Sequence, residues 1–112
     1  MKKVKTGEKV SCIQLKGKLH FLRLLGGKHK DYGLRSGLVS LKPKELIGEH
    51  KTEEKEEIII ILKGSAIVYY GKNKKIRAAR NTFIYIPPET THNVKNSGSK
   101  ILQYVYVTAK VA

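Results

Sequence analysis

Apolar runs of strand length, most of them ending at residues that let the chain reverse, restrict this sequence more than anything else in it. They fall at Val10 to Leu15, His20 to Leu25, Leu34 to Leu41, Glu57 to Leu62, Ala66 to Tyr70, Phe83 to Ile86 and Ile101 to Val107. Between them stand Gly26-Gly27, Pro43, Gly64, Gly71 with Asn73, Pro87-Pro88 and the stretch NSGS at 96 to 99, all turn-formers. One segment has a helical period, TEEKEEIIII from Thr52 to Ile61, and it loses its polar face once the isoleucines begin. β-Branched residues running towards a glycine favour a strand instead. Seven or more short strands in 112 residues predict one all-β domain over residues 1–112, a sandwich or closed barrel that hides its strand edges.

Charge narrows the partners. Lys and Arg number 23 against nine Asp and Glu, a net +14. Five of the acids lie between Glu49 and Glu57 beside two lysines, so the other 21 basic and 4 acidic residues leave +17 around them. Such a field favours anionic partners. Nucleic acid is not the expected one, because nineteen of the basic residues are Lys, scattered singly, with no basic helix or aromatic-basic motif. Cys12 is the sole cysteine, which excludes an intrachain disulfide and a thiolate metal cluster and fits a reducing cytoplasm. The basic start MKKVKTGEKV is followed by no apolar signal region, and no run approaches the ~20 residues of a membrane helix. Neither secretion nor membrane insertion is expected.

Two stretches carry chemistry. In IGEHKTEEKEEIIIILKG, residues 47 to 64, His50 is followed by Thr52, Glu57 and Gly64; in NTFIYIPPETTHNVKN, residues 81 to 96, Pro87 is followed by His92 and Asn96. The pair resembles the two blocks of the cupin superfamily, usually written G-x5-H-x-H-x3,4-E-x6-G and G-x5-P-x-G-x2-H-x3-N. His50, Glu57 and Gly64 match the first at full spacing, and Pro87, His92 and Asn96 match the second. Lys44, Asn81 and Glu89 stand where the family has glycines, and Thr52 stands where it has a second histidine. The resemblance covers about residues 38–107, with N-terminal strands at about 10–34 preceding it.

What the resemblance implies is a small antiparallel jelly-roll barrel whose interior holds one divalent metal. On that carry-over His50, Glu57 and His92 are the ligands, and Thr52 is a vacancy or a weak hydroxyl partner. Two imidazoles and a carboxylate suit Fe, Mn, Ni, Zn or Co alike. Because residues two apart on a strand share a face, Ile59 and Ile61 accompany Glu57, and Tyr104 shares a side with Tyr106. The resemblance to the cupin barrel turns the tyrosines inward, and these four are then the candidate pocket lining, with ordinary core packing the alternative. Glu56 competes with Glu57, since a one-residue slip would exchange which points inward. Glu53 and Glu54 read as a solvated wall, and His20 and His29 as histidines without duty. Arg23, Arg35, Arg77 and Arg80 are anion clamps with nothing in the sequence to place them. Two functions follow: a metal-dependent cupin acting on or binding a small anionic molecule, or a metal-free ligand-binding or sensor cupin. The family's habit of sheet packing or strand exchange, together with spare apolar runs before Leu34, predicts a homodimer.

Overall fold

A computed structural model describes residues 10–16, 20–26 and 33–111. These form nine antiparallel strands and no helix: β1 (Phe21–Leu25), β2 (Leu34–Leu41), β3 (His50–Lys51), β4 (Lys55–Lys63), β5 (Ser65–Tyr70), β6 (Lys74–Ala79), β7 (Thr82–Ile86), β8 (Thr91–Asn96) and β9 (Leu102–Lys110). They build a sheet of order β1-β2-β9-β4-β7 and another of order β3-β8-β5-β6. The two inner faces close on one core, to which Val39, Ile59, Ile61, Leu102 and Tyr104 contribute from the first sheet and Ala66, Val68 and Val94 from the second. This is the all-β jelly-roll barrel.

Six of the seven apolar runs are strands. Val10 to Leu15 is not: residues 10–16 are exposed and join no strand ladder, and Val10 is 98% exposed. Its apolar residues, 10, 12, 13 and 15, switch parity midway, so no single face of a strand would gather them. Conversely β3, β6 and β8 were not expected from hydropathy, because they read HK, KKIRAA and THNVKN. Their ladders come from neighbours. β8 is held between β3 and β5, and β6 is an edge strand whose Lys74, Lys75 and Arg77 discourage further pairing.

Gly64 turns β4 into β5 with a φ of +89°, and a Cβ there would sit 2.7 Å from the Ile101 carbonyl oxygen. Only glycine fits both conditions. Outside the barrel, the larger sheet is apolar as well. Leu22, Leu38, Val105, Ile60 and Phe83 form one row across all five strands, and Val107, Ile58 and Tyr85 continue a second. Leu38 and Val105 are buried there, whereas Phe83 is 62% exposed.

Candidate metal centre

His50 and His92 are directly opposed partners on β3 and β8, which puts their rings 4.1 Å apart at 63°. Glu57 reaches them from β4 of the facing sheet. Its Oε1 lies 3.2 Å from His92 Nε2 and 3.9 Å from His50 Nε2. One ligand atom from each of the three residues falls within 4.8 Å of the others, a group that could hold a metal ion. The register is the one that turns Glu57 inward: Glu57 is buried, while Glu56 faces out and accepts a hydrogen bond from Tyr85 Oη at 3.0 Å.

The tautomers follow from the backbone. His92 Nδ1 lies 3.1 Å from the Thr90 carbonyl and His50 Nδ1 3.0 Å from the Gly48 carbonyl. A carbonyl only accepts, so each Nδ1 carries a proton, and in the neutral imidazole Nε2 turns a lone pair to the centre. His92 Nε2 is fully buried and has no hydrogen-bond partner. Two lone pairs and a carboxylate facing one another need a cation among them, a proton or a metal ion. In the protein alone, the Glu57 carboxylate facing it holds the His50 pKa above its ordinary 6.5, against the effect of burial. Burial pushes the Glu57 carboxyl up, but the two imidazoles outweigh it and hold the pKa below 4.5. The His50–Glu57 pairing therefore stabilises the fold between those limits: His50's share is lost as pH rises through its raised pKa, and Glu57's as pH falls through its lowered one.

Thr52 is buried and its hydroxyl is already engaged, donating to the Pro87 carbonyl at 2.8 Å and accepting from the Thr90 amide at 2.9 Å. It pins the turn whose Thr90 carbonyl orients His92. The three glycine replacements keep the backbone of glycine: φ is +70° at Lys44, +67° at Asn81 and +55° at Glu89. Asn tolerates that region; Lys and Glu are strained there by roughly 1–2 kcal/mol. Lys44→Gly and Glu89→Gly, after the larger chain entropy of glycine is subtracted, should each raise stability by about 0.5–1 kcal/mol in denaturant unfolding. A loss of stability in both would mean the strain is absent.

His50 and Glu57 open onto a cavity of about 570 Å³, with His92 buried behind them. Tyr104 and Tyr106 line it; Ile59 and Ile61 are fully buried in the core behind. Burial, and then the charge of Glu57, pushes the Tyr104 phenol far above its ordinary range, so it stays protonated. Glu53 and Glu54 stand exposed at the cavity's edge, Glu54 3.9 Å from Lys110. Arg23 and Arg35 also line the cavity, which the sequence had no means of showing; Arg77 and Arg80 are exposed elsewhere. His20 lies outside it, 3.8 Å from Glu45, and His29 lies outside the described residues.

Comparison with known proteins agrees with this fold. The family profile described as the cupin domain matches residues 37–108, and the chain belongs to that family. It is 35% identical over 66 residues to an uncharacterized protein of Methanocaldococcus jannaschii, covering 59% of this chain and spanning only half the length of that relative. Among solved structures, the Schizosaccharomyces pombe Cnp3 cupin domain superposes with a TM-score of 0.72 at 16% identity, covering 81% of this chain and 64% of that one. A Cupin 2 conserved barrel domain protein from Salinispora arenicola gives 0.71 at 21% identity, with 81% and 75% covered. A predicted oxalate decarboxylase from Thermotoga maritima gives 0.65 at 22% identity, with 69% and 66% covered. At these identities the solved structures speak for the fold alone.

Proposed function

We propose that this chain is a metal-dependent cupin that holds one divalent ion through His50, Glu57 and His92 and receives a small anionic molecule in the adjoining cavity. The observation that carries the reading is His92 Nε2, buried without a hydrogen-bond partner and directed at the buried Glu57 carboxylate, 3.2 Å away, by the Nδ1 contact on its far side. That is the arrangement of a histidine prepared as a ligand, with its other nitrogen fixed by a carbonyl. When bound, such an ion supplies a Lewis acid for a substrate oxygen. The chain's own residues do the rest: Thr52 and Thr90 hold His92 in place, Gly48 holds His50, and the core side chains behind exclude water from one side. Calorimetric titration of chelator-stripped protein with Mn(II) or Zn(II) is expected to give one site per chain, lost in Glu57→Gln; no heat of binding for any divalent ion would remove the reading.

A metal-free ligand-binding or sensor cupin is the second reading. It is favoured by Thr52, whose hydroxyl is engaged with backbone and so leaves three donors, one of them on the half-exposed His50.

The reading extends to assembly and compartment. Two outer rows with no charged residue, in a chain of net +14, suit a second copy packed sheet to sheet across Ile60, Phe83 and Tyr85. Light scattering should return a dimer mass that falls to monomer in Phe83→Glu; a monomeric parent well above micromolar concentration would contradict it. An exposed free thiol at Cys12 suits a reducing cytoplasm. Among the described residues no helix is long and apolar enough to cross a membrane.

A further inference from the structure

Five basic residues border the cavity: Arg23, Arg35, Lys51, Lys55 and Lys110. Lys51 lies 3.0 Å from Glu89 and Lys110 3.9 Å from Glu54, whereas Lys55 makes no ion pair among the described residues. Arg23 and Arg35 have no carboxylate partner among the described residues. Both are exposed, and they reach the cavity in different ways.

Arg23 is built into its place. Its guanidinium lies 5.0 Å from the centroid of the Phe21 ring, and Nη1 donates to Tyr106 Oη at 3.1 Å. The Phe21 and Tyr106 rings stack on each other, 6.3 Å apart, from β1 and β9, across the intervening strand. They can do so because β2 carries Gly37 between them: a Cβ there would lie 2.5 Å from Phe21 and 2.9 Å from Tyr106. Since its oxygen accepts from Arg23, the Tyr106 hydroxyl has its own proton left to offer.

Arg35 is tied to the metal centre by register. It pairs with Thr108 on β9, and Thr108 pairs with Glu57 on β4, so the three share one row of the inner face. Two strand spacings separate the backbones of Arg35 and Glu57, roughly 10 Å. The small side chain of Thr108 leaves the ground between them open. A cation site at one end of this row, with Arg35 at the other and Arg23 on the next inner row through Gly37 and Tyr106, fits a molecule acidic at both ends.

We infer that Arg23 and Arg35, with the Tyr106 hydroxyl, form a carboxylate clamp, and that the cavity takes a small dicarboxylic acid whose near end meets the metal. The planar, forked donors of arginine match a carboxylate in two-point contact, which a lysine could not do. This rests on the metal reading for the near end only; the clamp is a separate set of residues on separate strands.

The test is a calorimetric titration of Mn(II)-loaded and metal-stripped protein with malonate, succinate, glutarate and adipate, each beside the monoacid of the same length, and with inorganic phosphate. One diacid should bind at least tenfold more tightly than its monoacid. Arg23→Gln and Arg35→Gln should each weaken it tenfold or more, Arg35→Lys should recover part of the loss, and Arg77→Gln should change nothing. Mn(II) affinity without the acid should stay within twofold in all four variants, and thermal melting should show each one folded. Diacid binding that ignores both arginines, or no diacid binding at millimolar concentration, overturns the clamp, as does a site that takes phosphate alone. If metal fails to bind while a diacid still binds through the arginines, the clamp stands and the metal reading falls.

Discussion

Asn96→Ala is expected to destabilise the protein by about 3 kcal/mol, which for a domain of this size lowers the melting temperature by on the order of 10–15 °C. Asn96 is completely buried at the end of β8. Its side-chain amide donates to the Leu41 carbonyl at 2.9 Å and the Lys100 carbonyl at 2.8 Å, and its oxygen accepts from the Gly98 amide at 2.9 Å. Its backbone accepts from Lys44 and donates to Glu45. One side chain thus fastens the end of β2 to the β8–β9 turn. Truncation leaves three polar backbone groups without partners and a void besides, costs that add. Asn96→Asp, which cannot donate as a carboxylate, should fail nearly as badly. A loss below about 1 kcal/mol in either variant would mean that water replaces the amide freely.

The second large effect is metal-dependent. An ion that binds the folded state alone stabilises it by about 2.7 kcal/mol at a hundredfold excess over its dissociation constant, worth roughly 10 °C here. Mn(II), Ni(II) or Zn(II) should therefore raise the melting temperature of the parent, and His92→Ala or Glu57→Gln should abolish the rise. Protons compete for the same lone pairs. Because Glu57 holds the His50 pKa above its ordinary value, the rise should grow as pH climbs through that pKa and shrink below it. An equal response in parent and His92→Ala would place the ion elsewhere on the chain.

Where burial and hydropathy coincide, the sequence was legible. The isoleucines of β4 and the alternating tyrosines of β9 read as strands, and the spacing of His50, Glu57 and His92 brought together residues that the fold does bring together. What could not be read was whatever depends on partners far along the chain. β8 reads THNVKN, and nothing in those letters says strand until β3 and β5 flank it. Thr52 looked like a missing donor because a hydroxyl's obligations to Pro87 and Thr90, 35 and 38 residues away, leave no mark on local spacing. Lys44 and Glu89 looked like departures from the family, yet φ at both keeps the left-handed turn of the glycine replaced. Arg23 and Arg35 were two arginines among four until the registers of β1, β2 and β9 set them on the inner face beside Tyr106. Val10 to Leu15 failed in the other direction: apolar content alone does not make a strand where no ladder receives it.

The most direct test is elemental analysis of the protein expressed without a histidine tag, beside His92→Ala prepared identically. One divalent metal ion per chain in the parent, and none in the variant, is the predicted result. A parent that remains metal-free after incubation with Mn, Fe(II), Co, Ni and Zn would contradict the metal centre and give first place to the metal-free binding barrel.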